Sequence, residues 1–291
     1  MKDYLIIIPA YNEEKNIGRV LDGMRHFREN TIIINDGSVD HTSQIIKEKG
    51  FFCINNYCNH GVADCIIQGI NLASERQIEK VIIMDADGQH NPAKIPGFLE
   101  ELENHDFVFG CRYHKSELIP TNKWASNLFA AALYAELTGL FLTDISCGFK
   151  GISLSDGLVD VLKKSQGFEA IYDIVSYAMC NRKSISVVPI EAVYYYDELL
   201  CTRNKEIIAL LNSIENCKKI YHKNYAGRFA RVIQDIKQAV LNNRRFGINI
   251  ADTNFWAFPV ANDSYFFQIN PVDIEKWIKS SAYLGEEIYV H

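Results

Sequence analysis

Val81-Ile82-Ile83-Met84-Asp85-Ala86-Asp87-Gly88-Gln89-His90 is the stretch on which the reading of the fold turns. Its four apolar residues are too few for a helix and read as a strand buried on both faces. The run stops at Asp85 and Asp87, so two carboxylates leave the end of a strand and do not enter the core. The same grammar recurs on either side. Tyr4 to Pro9, Thr31 to Asn35, Phe51 to Ile54 and Phe107 to Gly110 are strand-like and rich in β-branched or aromatic residues, and each is followed by turn or polar residues. Between them lie amphipathic stretches. Glu14 to Phe27 sets Ile17, Val20, Leu21 and Met24 on one helical face, and Ala63 to Ser74 does so with Ile66, Ile67, Ile70 and Ala73. Strands alternating with helices predict an α/β fold, a mainly parallel Rossmann-like sheet with helices on both faces.

In such sheets ligands lie beyond the carboxyl ends of the strands, where strand order reverses. The residues that follow each apolar run are therefore the candidates for chemistry. Asp85 and Asp87, one residue apart, supply hard oxygen ligands for a divalent cation, and Gln89 adds an amide oxygen; a plain Asx turn explains the same spacing. Asp36 follows the second run, where its carboxylate can accept from a base or ribose, while Asp40 or Thr42 serves as a helix cap. Tyr11-Asn12-Glu13 follows the first run, with a competing reading of Asn12 as a cap and of the acids as first-turn charges. Asn59-His60-Gly61 reads as a turn, and Asp64 as a first-turn acid or a donor contact.

The remainder of the chain is less regular. Asn127 to Leu140, Glu169 to Cys180, Lys205 to Tyr221 and Ala226 to Leu241 have helical periodicity, Gly148 to Ile152 and Ile185 to Val188 read as strands, and Asn249 to Tyr265 reads as irregular. A catalytic domain over residues 1–200 and a mostly helical and irregular extension over 201–291 follow from this. With 48% hydrophobic and 23% charged residues the chain is an ordinary globular protein. No signal peptide or membrane-spanning segment is expected, which predicts a cytoplasmic protein, and the eight scattered cysteines are expected to be reduced. Cys53, Cys58 and His60 are too loosely spaced for a structural zinc site.

The net charge of −6 conceals an asymmetry. Lys218 to Arg245 carries eight cations against Asp235 alone, leaving 22 cations and 35 anions elsewhere. Ala226 to Leu241 also sets Phe229, Val232, Ile233, Ile236 and Val240 on one stripe flanked by Arg228, Arg231 and Lys237. Two readings stand for this segment: peripheral contact with the anionic inner face of a membrane, or packing on the catalytic domain or on a second subunit.

IIIPAYNEEKNI, IIINDGSVDHT, NHGVADCIIQGI, IIMDADGQHNP, DFVFGCRY, LTDISCGFKGIS and VVPIEA, taken in this order, resemble the family 2 glycosyltransferases, and most closely the branch of dolichyl-phosphate mannose synthase and bacterial polyprenyl-phosphate glycosyltransferases. The resemblance spans about Tyr4 to Ile190 and implies the GT-A fold, a nucleotide-sugar donor (UDP- or GDP-linked) and Mg2+ or Mn2+. It implies a donor pocket of Pro9, Tyr11, Glu13 and Asp36, a metal and diphosphate site of Asp85, Asp87 and Gln89, and Arg112 facing an acceptor phosphate. The chain departs from the pattern at Asn35, where an acid is usual, at Val62 to Cys65, and after VPIEA, where VYYYDELLCTRNKE replaces an arginine and a Gly-x-Ser-Lys turn.

Inverting transfer to a polyprenyl phosphate needs no general base, because a phosphate is already ionised. A glycan hydroxyl acceptor needs one, and Glu169 and Asp173, with Asp144 third, are the carboxylates for it, unless they are caps or surface charges. A binding protein that holds a nucleotide-sugar without catalysis is the reading from another class; intact Asp85, Asp87 and Arg112 oppose it. A nucleotidyltransferase would carry a glycine-rich basic signature that PAYNEE lacks.

Overall fold

The computed structural model describes residues 4–112, 121–138, 142, 144–191, 193, 202–216, 226–250, 253–260 and 263–269. Its elements in chain order are β1 (Tyr4–Ala10), α1 (Ile17–Gly23), β2 (Thr31–Asn35), α2 (Thr42–Glu48), β3 (Phe52–Asn55), α3 (Val62–Glu75), β4 (Lys80–Ile83), α4 (Ile95–Glu101), β5 (Phe107–Cys111), α5 (Thr121–Thr138), β6 (Lys150–Ser153), α6 (Leu158–Leu162), α7 (Glu169–Cys180), β7 (Ile185–Pro189), β8 (Thr202–Arg203), α8 (Asn204–Asn216), α9 (Ala226–Leu241), β9 (Phe246–Ile250), β10 (Thr253–Val260) and β11 (Ser264–Ile269). The chain forms two compact units: residues 1–114, 147–170 and 183–193 in the first, and 115–146, 171–182 and 194–291 in the second.

The first unit holds a seven-stranded sheet of order β3-β2-β1-β4-β6-β5-β7. All its pairings are parallel except the two made by β6, which runs antiparallel between β4 and β5. The chain winds outward from β1 to β3, then returns to place β4 on the other side of β1. That reversal opens a crevice between the carboxyl ends of β1 and β4. Isoleucine alternation serves both faces. Ile6, Ile8, Ile33 and Ile82 share a core with Ile17 and Leu21 of α1, Ile46 of α2 and Phe98 of α4, whereas Ile7 meets α3 at Gly69. Asp106 pins the start of β5 to that of β7, its Oδ2 accepting from the N–H and the hydroxyl of Ser184, each at 2.9 Å.

The helix expected over Glu14 to Phe27 is shorter. It begins at Ile17, after a turn in which Asn16 and Ile17 donate to the Glu13 carbonyl, and it gives way to a 3-10 segment over Arg25–Asn30.

The second unit contains α5, α8, α9, most of α7 and a four-stranded antiparallel sheet of order β8-β11-β10-β9. The described residues of Asn249 to Tyr265, expected to be irregular, fall in its last three strands apart from Asp263. Asn249 and Asn254 lie on the outer face and Asp263 in a turn, while Phe255, Ala257, Tyr265 and Phe267 face inward, against Phe129 of α5 in the case of Phe255 and Phe267. The apolar stripe of α9 is covered too. Ile233, Ile236 and Val240 are buried, α9 packs on α8, and Lys237 pairs with Glu215 at 2.6 Å. An ordinary packing role for this helix is thereby favoured over insertion in an interface; the side chains of Arg228 and Phe229 lie outside the described residues. No helix among the described residues is long and apolar enough to cross a membrane. Six cysteines, Cys53, Cys58, Cys65, Cys111, Cys147 and Cys180, are free thiols.

Candidate active site

The crevice is walled by two loops stitched to each other. Asn12, in the left-handed region at φ 56°, donates its N–H to Ser38 Oγ at 2.9 Å, and its own Oδ1 accepts from Val39 N at 2.9 Å. Glu13 N donates to Thr42 Oγ1 at 2.8 Å, and Glu14 N to Asp40 Oδ2 at 3.1 Å. Asn12 thus ties the loop after β1 to the loop after β2; it does not cap α1. Neither Asp40 nor Thr42 is the N-cap of α2, which is His41; Asp40, one residue before it, accepts from Thr42 N at 3.0 Å. The stitching leaves Tyr11 exposed on the crevice side of β1, two residues beyond Pro9.

Asp36 is turned toward its own chain. Its carboxylate accepts from Asn56 Nδ2 (2.8 Å), His60 N (3.0 Å) and Gly61 N (2.7 Å), and the residue is buried. It therefore shapes the loop that leads into α3. Gly37 beside it sits at φ 71°, with no room for a Cβ, which would come within 2.5 Å of the Cys58 carbonyl carbon. Asp64 is an exposed acid in the first turn of α3, where the helix dipole favours it.

Asp85 stands across from Gly148, because the β4–β6 register that pairs Ile83 with Lys150 carries Gly148 opposite it. A Cβ on Gly148 would lie 2.2 Å from Asp85 Oδ2 and 2.7 Å from Oδ1, so the carboxylate occupies the space that the missing side chain leaves. Asp85 N donates to His90 Nδ1 at 3.1 Å, which puts the imidazole proton on Nε2, 3.7 Å from Asp85 Oδ2. His90 is itself fixed by stacking on Phe149, which stacks on Phe98. Although 37% of the Asp85 side chain remains open, the protein around its carboxyl pushes the pKa up, with Lys150 and Arg112 pulling it down. Asp87 Oδ1 accepts from Gln89 N at 2.8 Å, so the expected Asx turn is present, and it aligns the Asp-x-Asp-x-Gln segment along the crevice.

Charge binds these pieces into one site. Burial raises the pKa of Glu13, against a hydrogen bond from Asn16, and the neighbouring Asp87, Asp85 and Asp40 carboxylates raise it further. Three acids from the ends of β1 and β4 thus repel one another across the crevice. The structure gathers Pro9, Tyr11, Glu13, Asp85, Asp87, Gln89 and Arg112 at this edge, with Asp36 in the adjoining loop and Asp64 in the first turn of α3. Lys150 was not singled out from the sequence. It is fully buried in β6, with its ammonium 4.8 Å from the Phe109 ring centre and its charge acting on Asp85. A lysine inside the apolar Gly148-to-Ile152 strand is the signal that could have found it.

The candidate bases have hydrogen-bond partners of their own. Glu169, in the first unit, accepts from Gln166 N at 3.0 Å at the start of α7, which is the capping role. Asp173, in the second unit, ends a buried chain in which Tyr134 Oη bonds Ser176 Oγ (2.9 Å), Ser176 meets Ser213 Oγ (3.4 Å) and Ser213 donates to Asp173 Oδ1 (2.5 Å). Asp144, also of the second unit, is buried and accepts from Ser146 Oγ at 3.3 Å.

The oxygen donors fit a hard divalent cation. Asp85 and Asp87 carry like charge at a part-open strand end, and Gly148 keeps room for the first of them. Among the described residues no group of three or more His, Cys, Asp or Glu side chains is assembled into a metal site.

A family model described as "Glycosyl transferase family 2" matches residues 5–185. A protein of Methanocaldococcus jannaschii described as uncharacterized is 34% identical over 67% of this chain and 89% of its own length. The UDP-N-acetylglucosamine–dolichyl-phosphate N-acetylglucosaminyltransferase of Methanococcus voltae is 31% identical over 67% of this chain and 88% of its own. Among solved structures, glucosyl-3-phosphoglycerate synthase from Mycobacterium tuberculosis, crystallised with Mn2+, UDP and glucosyl-3-phosphoglycerate, superposes with a TM-score of 0.54 at 16% identity, over 73% of this chain and 80% of that one. That likeness is one of fold.

Proposed function

The chain belongs to glycosyl transferase family 2 and is a glycosyltransferase of GT-A fold, and from that premise we propose that it moves a sugar from a UDP- or GDP-linked donor to a polyprenyl phosphate, with inversion and with the help of Mg2+ or Mn2+. The observation that carries the proposal is the acidic crevice at the strand-order reversal, where Glu13, Asp85 and Asp87 converge beside Arg112 and Lys150. Relatives named for transfer to dolichyl or undecaprenyl phosphate support the acceptor class.

Each residue has a part in this reading. Pro9, Tyr11 and Glu13 line the donor pocket, while Asp36 holds the loop before α3 in shape and Asp64 sits at its edge. Asp85, Asp87 and Gln89 hold the cation, which supplies positive charge to the departing diphosphate. Gly148 and His90 keep the Asp85 carboxylate in register. Arg112 clamps the acceptor phosphate through paired N–H donors and, with Lys150, offsets the acidity of the crevice. An ionised phosphate oxygen attacks the anomeric carbon as the bond to the diphosphate breaks, so no proton has to be removed. Glu169 and Asp173 are called on as bases only where the acceptor is a hydroxyl.

Transfer of labelled sugar from a panel of UDP- and GDP-sugars, with polyprenyl phosphate or oligosaccharide acceptors and Mn2+, tests the proposal. A lipid-linked product is expected; label on an oligosaccharide alone moves the acceptor to a glycan hydroxyl, and a nucleotide-sugar bound without turnover makes the protein a binder. Asp87→Ala should abolish transfer and leave the circular dichroism unchanged. Full activity in that variant, or after exhaustive EDTA treatment, refutes the metal assignment.

A further inference from the structure

The second sheet has two unlike faces. Its inner face is closed, with Phe255, Phe267 and Tyr265 buried. Its outer face presents Trp256 at 50% exposure, Phe266 at 42% and Val260 at 36%, with Phe258 half-buried beside them. The register makes these a continuous group, since Phe258 pairs with Phe266 and Trp256 with Gln268 and Gly247. The indole lies against Gly247, where a Cβ would meet its ring carbons at 2.5 Å, so the ring is held flat on the sheet with its other side open. Covering a strand glycine explains one face of the indole. It does not explain why Phe266 and Val260 are open as well.

The rim is cationic. Arg244 and Arg245 are exposed immediately before β9, and the Tyr265 hydroxyl donates to the Arg244 carbonyl at 2.8 Å, fixing that segment to the sheet. Among the described residues from Asn242 to Ile269 the acid is Asp263 alone, in the turn between β10 and β11. The outward residues otherwise are the amides Asn249, Asn254 and Gln268.

We infer that this face, rather than the stripe of α9, docks the protein on an anionic lipid bilayer; the inference rests on the lipid-phosphate acceptor reading. Aromatic side chains interleaved with amides suit the headgroup boundary, where an indole keeps an apolar body in the acyl region and its N–H in a wet one. The two arginines at the rim meet anionic headgroups. A second protein is a poorer occupant, because the eight described outward residues over β9 to β11, Gly247 included, fall short of the roughly 20–30 a side that a stable protein interface takes. The apolar side of α9 is unavailable, having Ile233, Ile236 and Val240 buried.

The test uses the full chain with phosphatidylcholine vesicles that do or do not contain phosphatidylglycerol. Trp124 is buried, so in a Trp277→Phe background the open indole is Trp256. Cosedimentation only with the anionic vesicles, release by salt, and quenching of Trp256 by brominated acyl chains are expected. Arg244→Gln with Arg245→Gln should weaken binding roughly thirtyfold, and Phe266→Ser should weaken it without touching the cover over Gly247. Binding without quenching of Trp256 places the lipid on another surface and overturns the inference. So does failure to bind, whether or not sedimentation shows self-association that Phe266→Ser abolishes. A short-chain, water-soluble polyprenyl phosphate separates the two readings. If the wild type glycosylates it yet ignores vesicles, the docking face is wrong and the acceptor right; if vesicle binding passes every arm but no polyprenyl phosphate is glycosylated, the acceptor is wrong and the docking face right.

Discussion

Gly148→Ala is the sharpest perturbation of the crevice. The backbone there is not in the left-handed region, so alanine is conformationally allowed, and the smaller entropy of the unfolded chain favours the variant by about 0.4–1 kcal/mol. The problem is contact. The new Cβ would sit 2.2 Å from Asp85 Oδ2, whereas ordinary contact begins at 3.4 Å, so the oxygen must retreat by about 1.2 Å. A misplacement of about 1 Å in a reacting constellation costs on the order of 10²-fold, or about 2.7 kcal/mol of transition-state stabilisation. Gly148→Ala should therefore fold and melt near the wild type. Its kcat/KM should be roughly a hundredfold lower, with Mn2+ held roughly 10- to 100-fold more weakly in the presence of the nucleoside diphosphate. Mn2+ electron paramagnetic resonance and steady-state kinetics read the two quantities separately. Gly97→Ala is the control, because its Cβ would meet only Val188 at an ordinary 3.7 Å, and its kinetics should not change. A folded Gly148→Ala protein with wild-type Mn2+ affinity and turnover refutes the reasoning, since Asp85 would then need no particular position.

Three further outcomes follow from named contacts. Arg112→Lys keeps the positive charge near Asp85 but loses the planar fork, so transfer should fall at least about tenfold while donor affinity stays within about twofold; a loss of donor affinity with unchanged acceptor saturation reverses the assignment. Asp36→Ala strands the N–H groups of His60 and Gly61 and the Asn56 amide, and should cost roughly 3 kcal/mol in urea unfolding; a cost near zero would mean that water replaces the carboxylate in the loop. Asp106 has a pKa below the usual carboxylate value: burial pushes it up, but the two hydrogen bonds from Ser184, together with the charges of Lys183 and His105, outweigh burial. A carboxyl whose folded pKa is depressed stabilises the fold above its unfolded value near 3.8 and loses that contribution as pH falls through the folded value. The melting-temperature deficit of Asp106→Asn should accordingly be present at neutral pH and shrink in acid below 3.8; a deficit independent of pH contradicts this.

Much of the first unit was legible because its signals are local. A run such as Val81 to Met84 can only be a buried strand, and Asp85, Asp87 and Gln89 follow it within one turn, so their place at a strand end needs no knowledge of the partner strands. Order in the sheet is different. That β6 runs antiparallel between β4 and β5, bringing Gly148 and Lys150 to Asp85, depends on pairings across some 65 residues, and no periodicity within a segment encodes it. The role of Asp36 was hidden for the same reason, since its partners Asn56, His60 and Gly61 belong to the next loop.

In the second unit the balance shifts further. The helical periods of α8 and α9 are visible in the sequence, yet whether the stripe of α9 meets lipid or protein was undecided until α8 was seen to cover it. Asn249 to Tyr265 looked irregular because Asn and Asp stand only a few positions apart among aromatics, although Asn249 and Asn254 lie within strands, on their outer face. The sequence by itself determined the α/β class, the acidic crevice residues and the basic run, each being a matter of neighbours along the chain. Only the tertiary structure decided which groups share a charge, which glycine leaves room for a carboxylate, and that the antiparallel sheet has one buried and one open face, because these follow from contacts between segments that the chain joins only by folding.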